Sequence, residues 1–162
     1  MPFAFLYLVG MNKIAIFKYF GLFFALTFSG ICYAQDNKPI VNHIAICAHD
    51  LKKSVAFYDA VIQLKRIPNP FKDTVHQWYR IGPNVALHVI QGGCPEVKHD
   101  INNHLCFSVA SLPDYMKHLD ELHVKYGNWA GDYKKTQLRA DGVTQIYLQD
   151  PDGYWIEINN AK

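Results

Sequence analysis

HIAICAHDL at residues 43–51 returns in altered form as HLCFSVASL at residues 104–112. Each copy opens with a histidine, continues as an alternating run rich in β-formers, and ends in a polar cluster that leads into helical spacing. Alternation with period two reads as a strand buried on one face, and spacing near 3.6 as an amphipathic helix. A chain that builds the same histidine-bearing strand twice invites comparison of everything that follows each copy.

The comparison holds along both halves. Val41–Cys47 is a predicted strand, and His49 or Asp50 caps a helix over LKKSVAFYDAVIQL with Leu51, Val55, Tyr58 and Ile62 on one stripe. A short strand follows near Leu64–Ile67, and beyond Pro68-Asn69-Pro70 the segments VHQWYRI and NVALHVI flank Gly82-Pro83 as a hairpin. In the second half HLCFSV is the strand, and Ser111 caps a helix with Pro113 in its first turn and Leu112, Tyr115, Leu119 and Leu122 as its stripe. A short strand is expected near Val124–Tyr126, and TQIYLQ and YWIEIN flank the turn Asp150-Pro151-Asp152-Gly153. The hairpins align as His76-Gln77-Trp78-Tyr79 with Thr144-Gln145-Ile146-Tyr147, and as Ala86-Leu87-His88-Val89 with Trp155-Ile156-Glu157-Ile158. The reading is an internal duplication of a βαβββ module, over residues 40–92 and 101–160.

Period two also sorts the side chains by face. His43, Ala45 and Cys47 share one side and Ile44 and Ile46 the other, and His104, Cys106 and Ser108 likewise oppose Leu105, Phe107 and Val109. Ala86, His88 and Ile90 oppose Leu87 and Val89, and Trp155, Glu157 and Asn159 oppose Ile156 and Ile158. One face is apolar enough to pack on two helices, while the other collects His43, His88, His104 and Glu157. Three imidazoles and a carboxylate are ligand types for a divalent transition metal, and a curled sheet would let them converge at the floor of a cup. Each copy then supplies half a site. A lone strand histidine is more often an ordinary surface or core residue, and Glu157 alone is equally a solvated acid; the equivalent placement in two copies favours the metal.

The rest of the chain narrows the class. Residues 14–31 are almost wholly apolar, with Lys18 as the one charge, and lead through Cys32-Tyr33-Ala34 to Gln35-Asp36. Residues 1–34 therefore read as a secretory signal cleaved after Ala34, with Met11 as an alternative true start. An uncleaved membrane anchor is the competing reading, and Ile31 ahead of Cys32 disfavours a lipoprotein. Residues 35–162 then form one exported domain, periplasmic or secreted, with no membrane partner once the signal is removed. A formal net charge of +2 and interspersed acids and bases exclude a nucleic-acid face. Cys47, Cys94 and Cys106 remain after Cys32 is lost, an odd count that allows one bridge at most. His49, His99, His118 and His123 fall in helices or loops and read as surface residues.

The segments NHIAI, DLKKSVAFYDAVIQL, WYRIGPNVALHVI, NHLCFSV and QIYLQDPDGYWIEI together resemble the vicinal oxygen chelate superfamily of glyoxalases, bleomycin resistance proteins and dioxygenases. The resemblance implies an α+β glyoxalase-like fold, in which paired βαβββ modules form a cup-shaped mixed sheet with helices outside. It places metal ligands at His43, His104 and Glu157, with His88 where relatives carry a glutamate or glutamine. It implies one divalent ion (Ni, Zn, Mn or Fe), a small-molecule substrate gripped through adjacent oxygens, and a homodimer. Lyase or isomerase chemistry like that of lactoylglutathione lyase follows, with Glu157 and His88 as the groups that move protons, although a histidine cannot replace a second carboxylate base. The alternatives are an extradiol-type Fe(II) dioxygenase, in which His88 is a pocket residue, and a metal-free binding or resistance protein. Either His76, Trp78 and Arg80, with Trp155, line the cup mouth, or they merely cover the sheet. Arg139 lies in GDYKKTQLRADG, a lid or a solvated loop.

Overall fold

The computed structural model describes residues 37–162; the expected signal at residues 1–34 lies outside them. In chain order the elements are β1 (His43–Ala48), α1 (Leu51–Ala60), β2 (Lys65–Ile67), β3 (His76–Arg80), β4 (Ala86–Gln91), β5 (His104–Ser108), α2 (Leu112–Glu121), β6 (Gln137–Leu138), β7 (Thr144–Gln149) and β8 (Trp155–Asn159). They form two four-stranded sheets, ordered β1-β4-β3-β2 and β5-β8-β7-β6. The first pair in each is parallel and the others antiparallel. A parallel pair needs a crossover, and each module supplies its helix as part of it.

Local chemistry sets the helix limits. Asp50 and Ser111 cap α1 and α2, accepting from the amides of Lys53 and Asp114 at 3.2 and 3.3 Å, which satisfies donors left open in a first turn. The first helical segment was expected to run to Leu64, with its stripe ending at Ile62. It stops at Ala60 because Gln63 adopts φ 61° and lets the Leu64 amide donate back to Tyr58 O at 3.0 Å; His123, φ 56°, closes the second helix in the same way. Among the described residues no helix is long and apolar enough to cross a membrane.

Two expectations need correction. The short strand of the second module lies at Gln137–Leu138 rather than Val124–Tyr126, where Gly127 makes only isolated bridges to Tyr133 and Tyr147. The hairpin alignment also slips by one residue. Trp78 lies opposite His88 and Tyr147 opposite Glu157, so Trp78 corresponds to Tyr147, not to Ile146. A one-residue slip exchanges the faces of a strand.

The apolar faces behave largely as read, although Ile44 at the start of β1 is exposed and Leu105 and Phe107 of β5 are only half-buried. Leu87, Val89, Ile146, Leu148, Ile156 and Ile158 are buried, and with Tyr58, Tyr79 and Leu119 they join one cluster that draws on both modules. A polar clasp adds to it. The turn between β7 and β8, where Gly153 takes φ 84°, reaches α1: Tyr58 Oη donates to Asp150 Oδ2 at 2.8 Å and Ser54 Oγ to Asp152 Oδ2 at 2.7 Å. In return α2 reaches the end of α1, with Tyr115 Oη donating to Val61 O at 2.8 Å. Burial raises the pKa of Asp150 despite donors from Tyr58 and the turn amides, so its carboxylate relies on each donor it has. Tyr58→Phe is expected to cost about 1–3 kcal/mol, as for a buried acceptor that loses a donor. Urea unfolding checks this as a lower midpoint with unchanged slope.

Candidate functional site

In the first module, β1 and β4 run parallel with His43 against Ala86 and Ala45 against His88. The two histidines are therefore diagonal neighbours on one face, and their rings stack with centroids 4.4 Å apart and planes 10° apart. Trp78, opposite His88 on β3, stacks on its other side at 3.6 Å and 17°. His88 is only 9% exposed, and its Nε2 is buried without a hydrogen-bond partner, as is Trp78 Nε1. Burial, and then the nearby His43 and His76, lower its pKa, so the ring is neutral with a lone pair available. His43 is exposed, and its Nδ1 meets Asn42 Oδ1 at 2.9 Å.

The second module repeats the step with different residues. His104 lies against Trp155, and Cys106 against Glu157. His104 Nδ1 donates to Ile101 O at 2.7 Å; a carbonyl only accepts, so that nitrogen carries the hydrogen. Nε2 is thereby turned toward Glu157 Oε2, 3.3 Å away. An imidazole held through one nitrogen by a backbone carbonyl is the usual presentation of a metal ligand. Glu157 is 4% exposed and heavily served: Tyr147 Oη donates to Oε2 at 2.8 Å, Asn159 Nδ2 to Oε1 at 2.8 Å and Cys106 Sγ to Oε1 at 3.3 Å. Arg139 Nη1 lies 3.6 Å from Oε1. Burial works against the charge, but the hydrogen bonds of Asn159, Tyr147 and Cys106 and the adjacent His104 outweigh it, and the carboxyl sits below its ordinary pKa.

The candidate ligands thus come together as two pairs, His43 with His88 and His104 with Glu157. Among the described residues no group of three His, Cys, Asp or Glu side chains is placed to hold one ion. Donor chemistry fits a divalent metal, as the orphaned His88 Nε2 and the oriented His104 Nε2 show, but the described residues of one chain do not gather three donors. Of the expected pocket residues, Trp78 covers His88, and His76 is held by Asp73 through Nδ1 at 2.8 Å. Arg80 donates to Pro83 O at 3.0 Å within its own hairpin. Trp155 donates through Nε1 to His99 O at 3.0 Å.

The sequence does not mark Tyr147 as a site residue, places Asn159 on the polar face without a role, and puts Arg139 only in a lid or solvated loop. The signal for Tyr147 was loop length: five residues separate Arg80 from Ala86 and five separate Gln149 from Trp155, so aligning Ala86 with Trp155 forces Trp78 onto Tyr147. Arg139 had no such signal, because its approach to Glu157 depends on the path of a long loop. Cys47 is bridged to Cys94, with Cα atoms 5.8 Å apart, and Cys106 is free.

The model of the Glyoxalase/Bleomycin resistance protein/Dioxygenase superfamily matches residues 40–158, and the chain belongs to that superfamily. The chain is 27% identical over 129 residues to glyoxylase I 4 of Arabidopsis thaliana, covering 75% of this chain and 70% of that protein. It is 27% identical over 131 residues to the metallothiol transferase FosB of Bacillus licheniformis, covering 78% and 79%. The solved structure of the fosfomycin resistance protein FosX from Listeria monocytogenes is similar in fold, with TM-score 0.59 and 19% identity over 77% of this chain and 95% of that one. The paired βαβββ architecture is therefore the glyoxalase-like α+β fold.

Peptide mapping without reductant is expected to recover Cys47 joined to Cys94, and thiol titration of denatured, unreduced residues 35–162 to find one free sulfhydryl, at Cys106. A Cys47–Cys106 bridge would contradict the geometry.

Proposed function

We propose that the protein is a metal-dependent enzyme that grips a small substrate through two adjacent oxygens and performs lyase or isomerase chemistry. The observation that carries this reading is the repeated register step. Parallel pairing places His88 and Glu157 at equivalent positions, diagonal to His43 and His104, so a duplicated scaffold holds a donor pair in each copy. The similarity to a metallothiol transferase and to a glyoxylase I supports it.

His43, His104 and Glu157, with His88, would hold the ion, which when bound supplies Lewis-acid stabilisation of developing oxyanions. The protein's own part is proton handling. Glu157, kept ionised by Asn159, Tyr147 and Cys106, is the group placed to take a proton from carbon beside the gripped oxygens, a contribution of roughly 10² to 10⁴ in rate. Neutral His88 is the second base, and Arg139 offers a cation to an anionic substrate. The cover of Trp78 over His88 favours a second reading, in which His88 lines the pocket and His43, His104 and Glu157 form the two-histidine, one-carboxylate set of Fe(II) oxygenases. Export is part of the proposal, and the Cys47–Cys94 disulfide supports it, since such bonds persist in oxidising compartments.

Because one chain holds its donors as separate pairs, we infer that two copies complete each site, one giving His43 and His88 and the other His104 and Glu157. Residues 35–162, purified without chelator, are expected to carry about one metal ion per chain by elemental analysis. His43→Ala and Glu157→Ala are each expected to lose it. Mixing the two variants after dissociation should restore metal to about a quarter of the sites, since half of random dimers are mixed and half of their sites are intact. Recovery of nothing on mixing would sink the shared site; no metal in the wild type after soaking with each ion would leave a metal-free binding protein. Iron with oxygen uptake would select the oxygenase.

A further inference from the structure

A cavity of about 740 Å³ lies against the second module, within the range of small-molecule pockets. Its outer wall is a tight hairpin over residues 126–134. The Lys134 amide donates to Tyr126 O at 2.9 Å and the Asn128 amide to Asp132 O at 3.2 Å, while Gly127 and Tyr147 exchange both backbone bonds. A Cβ at Gly127 would run into the carbonyl of Asp132, so the turn is built on that glycine. The hairpin sets Tyr126 and Tyr133 with rings 6.3 Å apart, the first buried and the second 60% exposed.

The inner wall draws mainly on the sheet face that carries Glu157, with Leu148 added from the other face of β7. Tyr147, Gln149 and Trp155 line the cavity from β7 and β8. Trp155 stands where the first module has Ala86, so strand pairing does not call for an indole there. Tyr147 joins cavity and site, because it lines the one while its hydroxyl donates to Glu157 Oε2 at 2.8 Å. No Asp or Glu lines the cavity, so a cationic group finds no countercharge, and Lys125, the one cation in its lining, is exposed to solvent. Aromatic walls of this kind bury a flat apolar group with favourable edge and face contacts.

We propose that the cavity receives an uncharged aromatic group of the substrate, joined to the oxygen pair gripped beside Glu157. This rests on the site proposed above and adds the substrate class: an aromatic compound with adjacent oxygens, set apart from a small aliphatic one. Tyr126, Tyr133 and Trp155 select the ring, and Tyr147 sets its distance from the carboxylate.

Three probes separate the parts: benzyl alcohol carries the ring, lactate the adjacent oxygens, and mandelate both. Binding to metal-loaded protein is read by calorimetry and by the indole N–H resonance of Trp155, assigned with a Trp155→Phe variant. Benzyl alcohol should shift that resonance, and mandelate should bind at least about tenfold tighter than lactate. Tyr133→Ala, at an exposed hairpin position, and Trp155→Ala should each reduce the mandelate preference several-fold and leave lactate unchanged. In Glu157→Ala benzyl alcohol should still bind; mandelate binding no tighter than benzyl alcohol in the wild type would report failure of the oxygen-gripping site alone. An unmoved indole resonance, or equal affinity for mandelate and lactate, would overturn the proposal.

Discussion

Parallel pairing of β1 with β4, and of β5 with β8, is the constraint from which the rest of the molecule follows. It forbids a short connection, so each module must cross over through a helix, and the helix covers one face of its sheet. Only the opposite face is left for polar chemistry. The same pairing makes His88 the diagonal neighbour of His43, and Glu157 that of His104. Because strand side chains alternate, a slip of one residue in either pair would move its donors into the apolar cluster that holds Leu87, Val89, Ile156 and Ile158. Burial of those four side chains therefore fixes the donors on the cup face as firmly as any direct contact.

Much of this was legible in the chain because it rests on local periodicity. The strands that carry His43, His88, His104 and Glu157 alternate cleanly, and both helix caps are the residue types that such ends require. The two errors arise where local pattern stops deciding. TQIYLQ is apolar or uncharged throughout, so alternation alone cannot say which of Ile146 and Tyr147 faces the cup; the length of the following turn can. β6 is two residues long, too short to leave a pattern. Arg139 and the disulfide partner of Cys47 were illegible for a related reason, since both depend on where loops run after the sheets have formed.

The two modules are not merely strung together. Tyr58, Ser54 and His49 of the first module receive Asp150 and Asp152 of the second, and Tyr115 and His118 of α2 reach carbonyls at the end of α1. The Tyr58–Asp150 bond is buried and the Ser54–Asp152 and Tyr115–Val61 bonds are half-buried, so the pairing of modules is specified by polar matching as well as by apolar burial. The turn Asp150-Pro151-Asp152-Gly153 thus does two things: it sets the register that aims Glu157, and it is the surface through which one module recognises the other.

That division of labour explains why the donors remain in pairs. The clasp commits the helix side and the β7–β8 turn of the chain to internal contacts, while β1 and β5 stay at sheet edges and the first three residues of β1 are exposed. Unpaired edges and open cup faces are liabilities in a protein that stays alone, and two buried nitrogens, His88 Nε2 and Trp78 Nε1, lack partners as well. Association of two copies through their cup faces would cover the edges and bring a histidine pair of one chain to the histidine and carboxylate of the other. If the site is shared as proposed, the duplicated modules each hold half of it, and assembly of the site would be the same event as assembly of a dimer.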